Sequence, residues 1–346
     1  MTRGALAVLL VLGACASSHG YAQDDVVFTR YSALSRNAEL ARRTLPPRTY
    51  RALVHELAAR HQQLAEQAID LPKEKFDLYV PAGAPPPAGY GLLVFVSPGS
   101  GPTRPRTWRS PLDRHRLIFV SAQGSGNEQS VVDRRVPLAL LAYENIRARF
   151  PVDPARVYIG GLSGGSRVAE MLALAYPDVF RGAMLNAGAD PIDGRDGIYK
   201  PPAELFRAFQ RSRLVYITGD QDHDTLLQDE VSRRSMRDAC VLDVKTEIAF
   251  GLGHQALDAR FLDQALDALE APRAVDEGEL ARCNARVERA IAAGLDDIAA
   301  AIARGDRDAA RGKLKAIEAR FGGLTAPRIL ELEDRLGGST AVPGGR

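Results

Sequence analysis

Cysteine is scarce in this 346-residue chain: Cys15, Cys240 and Cys283 are the only three. They stand too far apart to make a zinc-ligand pattern. There is one tryptophan, Trp108, and aromatic residues make up 6% of the chain. An excess of one charge is missing as well. The 45 basic and 43 acidic residues leave a formal net charge of +2 with no basic block, so composition gives no support to a nucleic-acid partner. Long apolar runs are absent too. The segment "ALAVLLVLGA" at 5–14 is too short to span a membrane as a helix.

That short run, with Arg3 before it and small residues after it, reads as an export signal. Two processing sites compete. "LGAC" at Leu12–Cys15 has the order of a bacterial lipoprotein box, with Cys15 as the lipidated residue. "GYA" at Gly20–Ala22 suits ordinary cleavage before Gln23. Either way the expected location is periplasmic, outer-membrane-anchored or secreted, and any membrane attachment runs through Cys15 alone. An oxidising compartment makes Cys240 and Cys283 a candidate disulfide that staples the C-terminal helices to the main domain, with two buried free thiols as the alternative.

Hydropathy patterning divides the rest. Residues 24–70 carry apolar positions at helical spacing, interrupted by Pro46 and Pro47. From "KFDLYVP" onward, short apolar runs alternate with helical stretches: strands at 90–97, 115–122, 156–161, 182–188, 213–219 and 244–251, helices at 134–149, 165–176, 203–211, 225–239 and 256–270. Runs that are apolar throughout suit strands buried on both faces, so the expected fold is α/β, a doubly wound and mostly parallel sheet. Beyond 275 the strands stop and amphipathic helices follow. The expected organisation is a signal at 1–22, an N-terminal helical segment at 23–71, the α/β domain at 72–272, a helical appendix at 273–337 and a disordered tail at 338–346.

The chemistry concentrates in "VYIGGLSGGSRV" at 157–168. No lysine follows its glycines, which removes a Walker loop, and no frame fits the dinucleotide pattern G-x-G-x-x-G. Gly161, Leu162, Ser163, Gly164 and Gly165 do fit G-x-S-x-G after a strand and before a helix, the setting of a nucleophile elbow. There the Gly164 N–H is aimed at a developing oxyanion. The chain has six histidines, and only His223 and His254 follow Ser163. In the order serine, acid, histidine, His254 is the base, since it lies just after the last expected strand while His223 sits inside the acidic loop. That loop, "DQDHDT", offers Asp220, Asp222 and Asp224 as the acid, with Asp224 suited to cap the following helix.

Residues 76–270 resemble an α/β-hydrolase of the polyhydroxybutyrate depolymerase and feruloyl esterase type. "DPARVYIGGLSGG", "YPDVFRGA", "ITGDQD" and "GLGH" carry the likeness. The resemblance implies Asp222 as the acid, in the G-x-x-D turn, and a carboxylic-ester substrate, small or polymeric, cleaved through an acyl-enzyme. It implies no metal or organic cofactor. One departure stands out. Where such esterases often have His-Gly, this chain has Ser97, Pro98, Gly99, Ser100 and Gly101. Pro98 has no N–H, which leaves Ser100 or Gly101 to partner Gly164 in the oxyanion hole. The altered loop keeps a catalytically idle binding scaffold as an alternative, and a peptidase on the same fold shares the triad. Trp108 and Asn127 fall on pocket-side loops. Trp108 suits stacking on an aromatic or sugar substrate, or simple packing; "GSGNEQ" around Asn127 also reads as a turn.

Overall fold

A computed structural model of the chain describes residues 20–102, 104–194, 198–272 and 275–337. Most of the expected export signal, including Cys15, and the 338–346 tail lie outside the described residues.

Eight strands form one sheet: β1 (Tyr21–Val27), β2 (Lys75–Val80), β3 (Tyr90–Val96), β4 (Leu117–Ala122), β5 (Val152–Leu162), β6 (Gly182–Asn186), β7 (Arg213–Gly219) and β8 (Val244–Ala249). Their spatial order is β1-β2-β4-β3-β5-β6-β7-β8. The β1–β2 and β2–β4 pairs are antiparallel and every later pair is parallel. The apolar runs explain the register: β3, β4, β6 and β7 are buried along their full length, as strands covered on both faces must be.

The helices are α1 (Asn37–Thr44), α2 (Pro47–Ala59), α3 (Arg109–Arg114), α4 (Val136–Arg149), α5 (Gly164–Ala175), α6 (Ala203–Phe209), α7 (His223–Asp238), α8 (Ala259–Glu270), α9 (Glu277–Ala303), α10 (Arg307–Phe321) and α11 (Arg328–Arg335). One face of the sheet packs α3 and α8 around Trp108, Leu112, Phe261 and Leu266. The other packs α4, α5 and α6 around Leu140, Leu172 and Phe206. This sheet order, covered on both faces and with a sharp strand-to-helix turn after β5, is the α/β-hydrolase fold.

Two sequence expectations change. The helix expected from residue 24 is instead strand β1. Its side chains are mostly exposed, so no burial pattern marks it, and its register depends on β2, some fifty residues away. The helical pattern expected to run from Pro47 to residue 70 stops at Ala59. His61 takes the left-handed conformation (φ 53°), and the His61 and Gln62 N–H groups bond back to the Ala58 and Leu57 carbonyls, a Schellman ending.

The C-terminal helices have a core of their own, built on Leu295, Ile298, Leu314, Ile329 and their neighbours. They also grip the rest of the molecule. The Arg48 guanidinium of α2 donates to Glu333 at 2.7 Å, and the Arg48 N–H donates to Glu318 at 2.8 Å. Cys240 and Cys283 are joined in a disulfide, with Cα atoms 5.8 Å apart. Among the described residues, no helix is long and apolar enough to cross a membrane.

Candidate active site

β5 delivers Ser163. The chain turns there at φ 56° and ψ −124°, outside the ordinary regions for an L-residue, and α5 starts at the next residue. The flanking glycines make the turn possible. A Cβ on Gly161 would lie 2.2 Å from the Gly165 carbonyl oxygen, and one on Gly165 would lie 2.1 Å from that of Val96. Both clashes are with backbone, so no side-chain motion relieves them. The Ser163 N–H donates to the Asn186 carbonyl at 2.9 Å, which fixes the turn to β6.

Two further loops converge on this serine. Asp222 follows β7 and His254 follows β8, and the loops are laced together. The Gln221 N–H donates to the Leu252 carbonyl at 3.1 Å, and the Gly251 N–H donates to Asp220 at 2.7 Å. A Cβ on Gly219 would lie 2.1 Å from the Leu252 oxygen, so the close approach of the loops depends on that glycine. The outcome is a hydrogen-bonded line. His254 Nε2 lies 2.8 Å from Ser163 Oγ, and His254 Nδ1 lies 2.6 Å from Asp222 Oδ2. With the carboxylate accepting from Nδ1–H, Nε2 is left as the acceptor for the serine hydroxyl. Asp222 is largely buried while almost half of the His254 side chain is exposed, so the imidazole is open to solvent.

The other acidic-loop residues have different work. Asp220 braces the histidine loop. Asp224, expected to cap a helix at 225, lies instead in the first turn of α7, because that helix begins at His223. Thr225 Oγ1 stands 3.4 Å from His254 Nδ1, at the limit of hydrogen bonding.

On the other side of Ser163, Gly164 opens α5, so its N–H is one of the helix's orphan donors. In the Ser97–Gly101 loop, the Gly99 N–H is occupied by Ser97 Oγ at 3.0 Å. The Ser100 and Gly101 N–H groups donate to no protein atom among the described residues. The Ser100 side chain contacts Glu128 and accepts from the Gly126 N–H, which ties this loop to the next. Arg135 is buried and donates to the Ser97 and Ser125 carbonyls at 3.0 and 2.8 Å, holding both loops from behind; burial lowers its guanidinium pKa.

Sequence reasoning left Asn127 open between a pocket role and a turn. Its carboxamide lies directly against Gly164, so that a Cβ there would meet Oδ1 at 2.2 Å. A cavity of about 390 Å³ opens beside it, lined by Asn127, Val131, Gly164, Arg167, Met171 and Ile198. Trp108 does not face the site. It is 1% exposed, packs edge-on against Phe95 and Phe119, and donates its indole N–H to the Leu257 carbonyl at 2.7 Å. It anchors the chain three residues past His254.

Behind the line sits a buried polar layer that no local sequence signal marks. Thr218 donates to Asp229 at 2.6 Å, and Asp229 Oδ1 has no partner among the described residues. Burial pushes the Asp229 carboxyl up to about 6. Glu170 of α5 is buried too, which raises its pKa, and it accepts from the Asp190 N–H and the Ser232 hydroxyl. Among the described residues no group of three or more His, Cys, Asp or Glu is arranged to hold a metal ion.

No family model matches the chain. Over 66 residues it is 42% identical to poly(3-hydroxyalkanoate) depolymerase C of Paucimonas lemoignei, a match covering 19% of this chain and 14% of that protein's length. Among solved structures it is similar to the poly(3-hydroxybutyrate) depolymerase LpqC of Bordetella parapertussis, with 18% identity over 61% of this chain and 88% of the other and a TM-score of 0.42. It is similar also to a ferulic acid esterase, at 14% identity over 60% and 96% of the two chains and a TM-score of 0.45.

Proposed function

We propose that the chain is an exported serine hydrolase of carboxylic esters. The observation that carries this reading is the line Asp222–His254–Ser163, hydrogen-bonded at 2.6 and 2.8 Å on a serine held at positive φ. In the reaction, His254 Nε2 takes the Ser163 proton as Oγ bonds to the acyl carbon. The oxyanion gathers on the N–H groups of Gly164 and Ser100. Collapse breaks the ester C–O bond, and the departing alkoxide takes its proton from His254, leaving an acyl-enzyme. Water, deprotonated by the same imidazole, attacks that acyl carbon, and Ser163 departs reprotonated. Asp222 orients the ring and stabilises it when charged. The cavity beside Gly164 is the place for the acyl or alcohol group.

The test is labelling of the purified mature protein with a fluorophosphonate probe, followed by mapping of the modified peptide. Modification at Ser163 that disappears in His254→Ala is the expected result. Folded protein that takes no label would overturn the reading in favour of a non-catalytic binding scaffold. Turnover of p-nitrophenyl esters against peptide p-nitroanilides then separates esterase from peptidase.

A further inference from the structure

A second cavity, about 510 Å³ in volume, lies where α7, Ile192, Asp193 and Lys200 meet α9 and α10, and its lining contains no member of the triad. It falls within the roughly 300–1,000 Å³ range of small-molecule sites. Its charge is uneven. Lys200, Arg234, Arg286 and Arg320 line it against the carboxylates of Asp193 and Asp238. Arg286 and Arg320 make no ion pair among the described residues. Arg286 donates to Cys283 Sγ at 3.1 Å, and the Arg320 guanidinium lies over the Phe321 ring. Among the described residues Arg234 reaches only Glu230, at 3.9 Å, and that carboxylate also serves Arg233 and Arg237.

Lys200 is the most unusual of the four, being 7% exposed. Its ammonium donates to the carbonyls of Ile192 and Arg320 and to no carboxylate among the described residues. Two carbonyls use two of its three N–H donors, so one remains for the cleft. A buried charge without a hydrogen-bonded counter-ion is unfavourable; burial lowers this one to about 8. The walls between the cations are apolar, from Ile192, Val287, Phe321 and Leu324.

We propose that this cleft is a second ligand site, for an organic carboxylate with an apolar body. The carboxylate would take the spare Lys200 donor and the Arg286 and Arg320 guanidinium groups, and the hydrocarbon would lie on Phe321 and Leu324. Charge-assisted hydrogen bonds to guanidinium give the head group its selectivity, and an inorganic anion would leave the apolar wall in water.

Equilibrium dialysis of the full chain with octanoate tests this, with octan-1-ol, octylamine and inorganic phosphate as comparison probes. Octanoate should bind, and the surface double variant Arg286→Gln, Arg320→Gln should bind it about tenfold or more weakly, the effect of losing hydrogen bonds to a charged group. Circular dichroism and Ser163 labelling of the variant should match the parent, since neither arginine touches the triad. The proposal is overturned if octanoate does not bind, if the double variant binds it as tightly as the parent, or if octan-1-ol, octylamine or phosphate binds as well as octanoate. Because the readout is binding, failure here is distinguishable from a triad that does not turn over.

Discussion

At Ser163 the local backbone is held against its own preferences, and that strain is supported by named contacts. Gly161 and Gly165 are required by carbonyls 2.2 and 2.1 Å from where their Cβ atoms would stand. Gly165→Ala should therefore destabilise the fold by about 3 kcal/mol, the upper part of the overpacking range, because the clash is with the backbone of β3. Thermal unfolding checks this. For Gly164→Ala the nearest atoms are the far end of the Asn127 side chain, which can move, so the variant should unfold within a few degrees of the parent. The catalytic reading makes its own claim at this scale. Ser163→Ala keeps the fold, since alanine suffers no more than serine at that φ, while kcat for an ester falls by about 10⁶-fold. Asp222→Asn leaves the geometry and costs about 10⁴-fold, as a wrongly oriented or wrongly protonated imidazole does. An Asp222→Asn enzyme with near-parental kcat would remove the acid from the mechanism.

Elements explain why some of the site was readable and some was not. β5 and β7 carry apolar runs, and the loops after β5, β7 and β8 hold residue types with local meaning, so Ser163 and His254 could be found by counting along the chain, while the choice of Asp222 within its loop came from the family resemblance. β1 was hidden because its pairing is made by a distant strand and its residues are exposed. Asp229 was equally hidden, and the roles of Asn127 and Trp108 stayed open, since what these residues touch belongs to other elements. Asp229 yields a pH prediction. Its folded pKa of about 6 lies above the ordinary carboxylate value, so burial opposes folding once the group must ionise. No penalty exists below the unfolded pKa, where both states are protonated. It grows as pH rises through that value and is full above the folded one, reaching on the order of 3 kcal/mol for a difference of about two units. Asp229→Asn keeps an acceptor for Thr218 and removes the charge. It should raise the melting temperature at pH 8 and bring no gain near pH 4. A gain of equal size at both pH values would show that ionisation is not the cause.

For the whole molecule the question is whether the C-terminal helices are a separate body or part of one cooperative unit. Their own core argues for the first and their ties for the second. The Cys240–Cys283 bond spans 43 positions in sequence, a loop whose closure is worth about 4 kcal/mol in the chain-entropy account. It is not the only tie. Glu333 is buried between Arg48 and Arg51 of α2, Lys200 donates to the Arg320 carbonyl, and Gln210 and Asn284 exchange hydrogen bonds. Removing one partner of a buried ion pair typically costs about 3–5 kcal/mol, so these contacts are comparable to the disulfide in strength. Reduction should therefore lower the unfolding temperature by roughly 5–10 °C while leaving a single transition. Cys283→Ser should behave as reduced protein does. The variant Glu333→Gln, which weakens the α2 contacts, should split the transition only when combined with Cys283→Ser. If reduction alone produces two transitions, the disulfide is the principal tie and the appendix is an independent domain held against the hydrolase fold by one covalent bond.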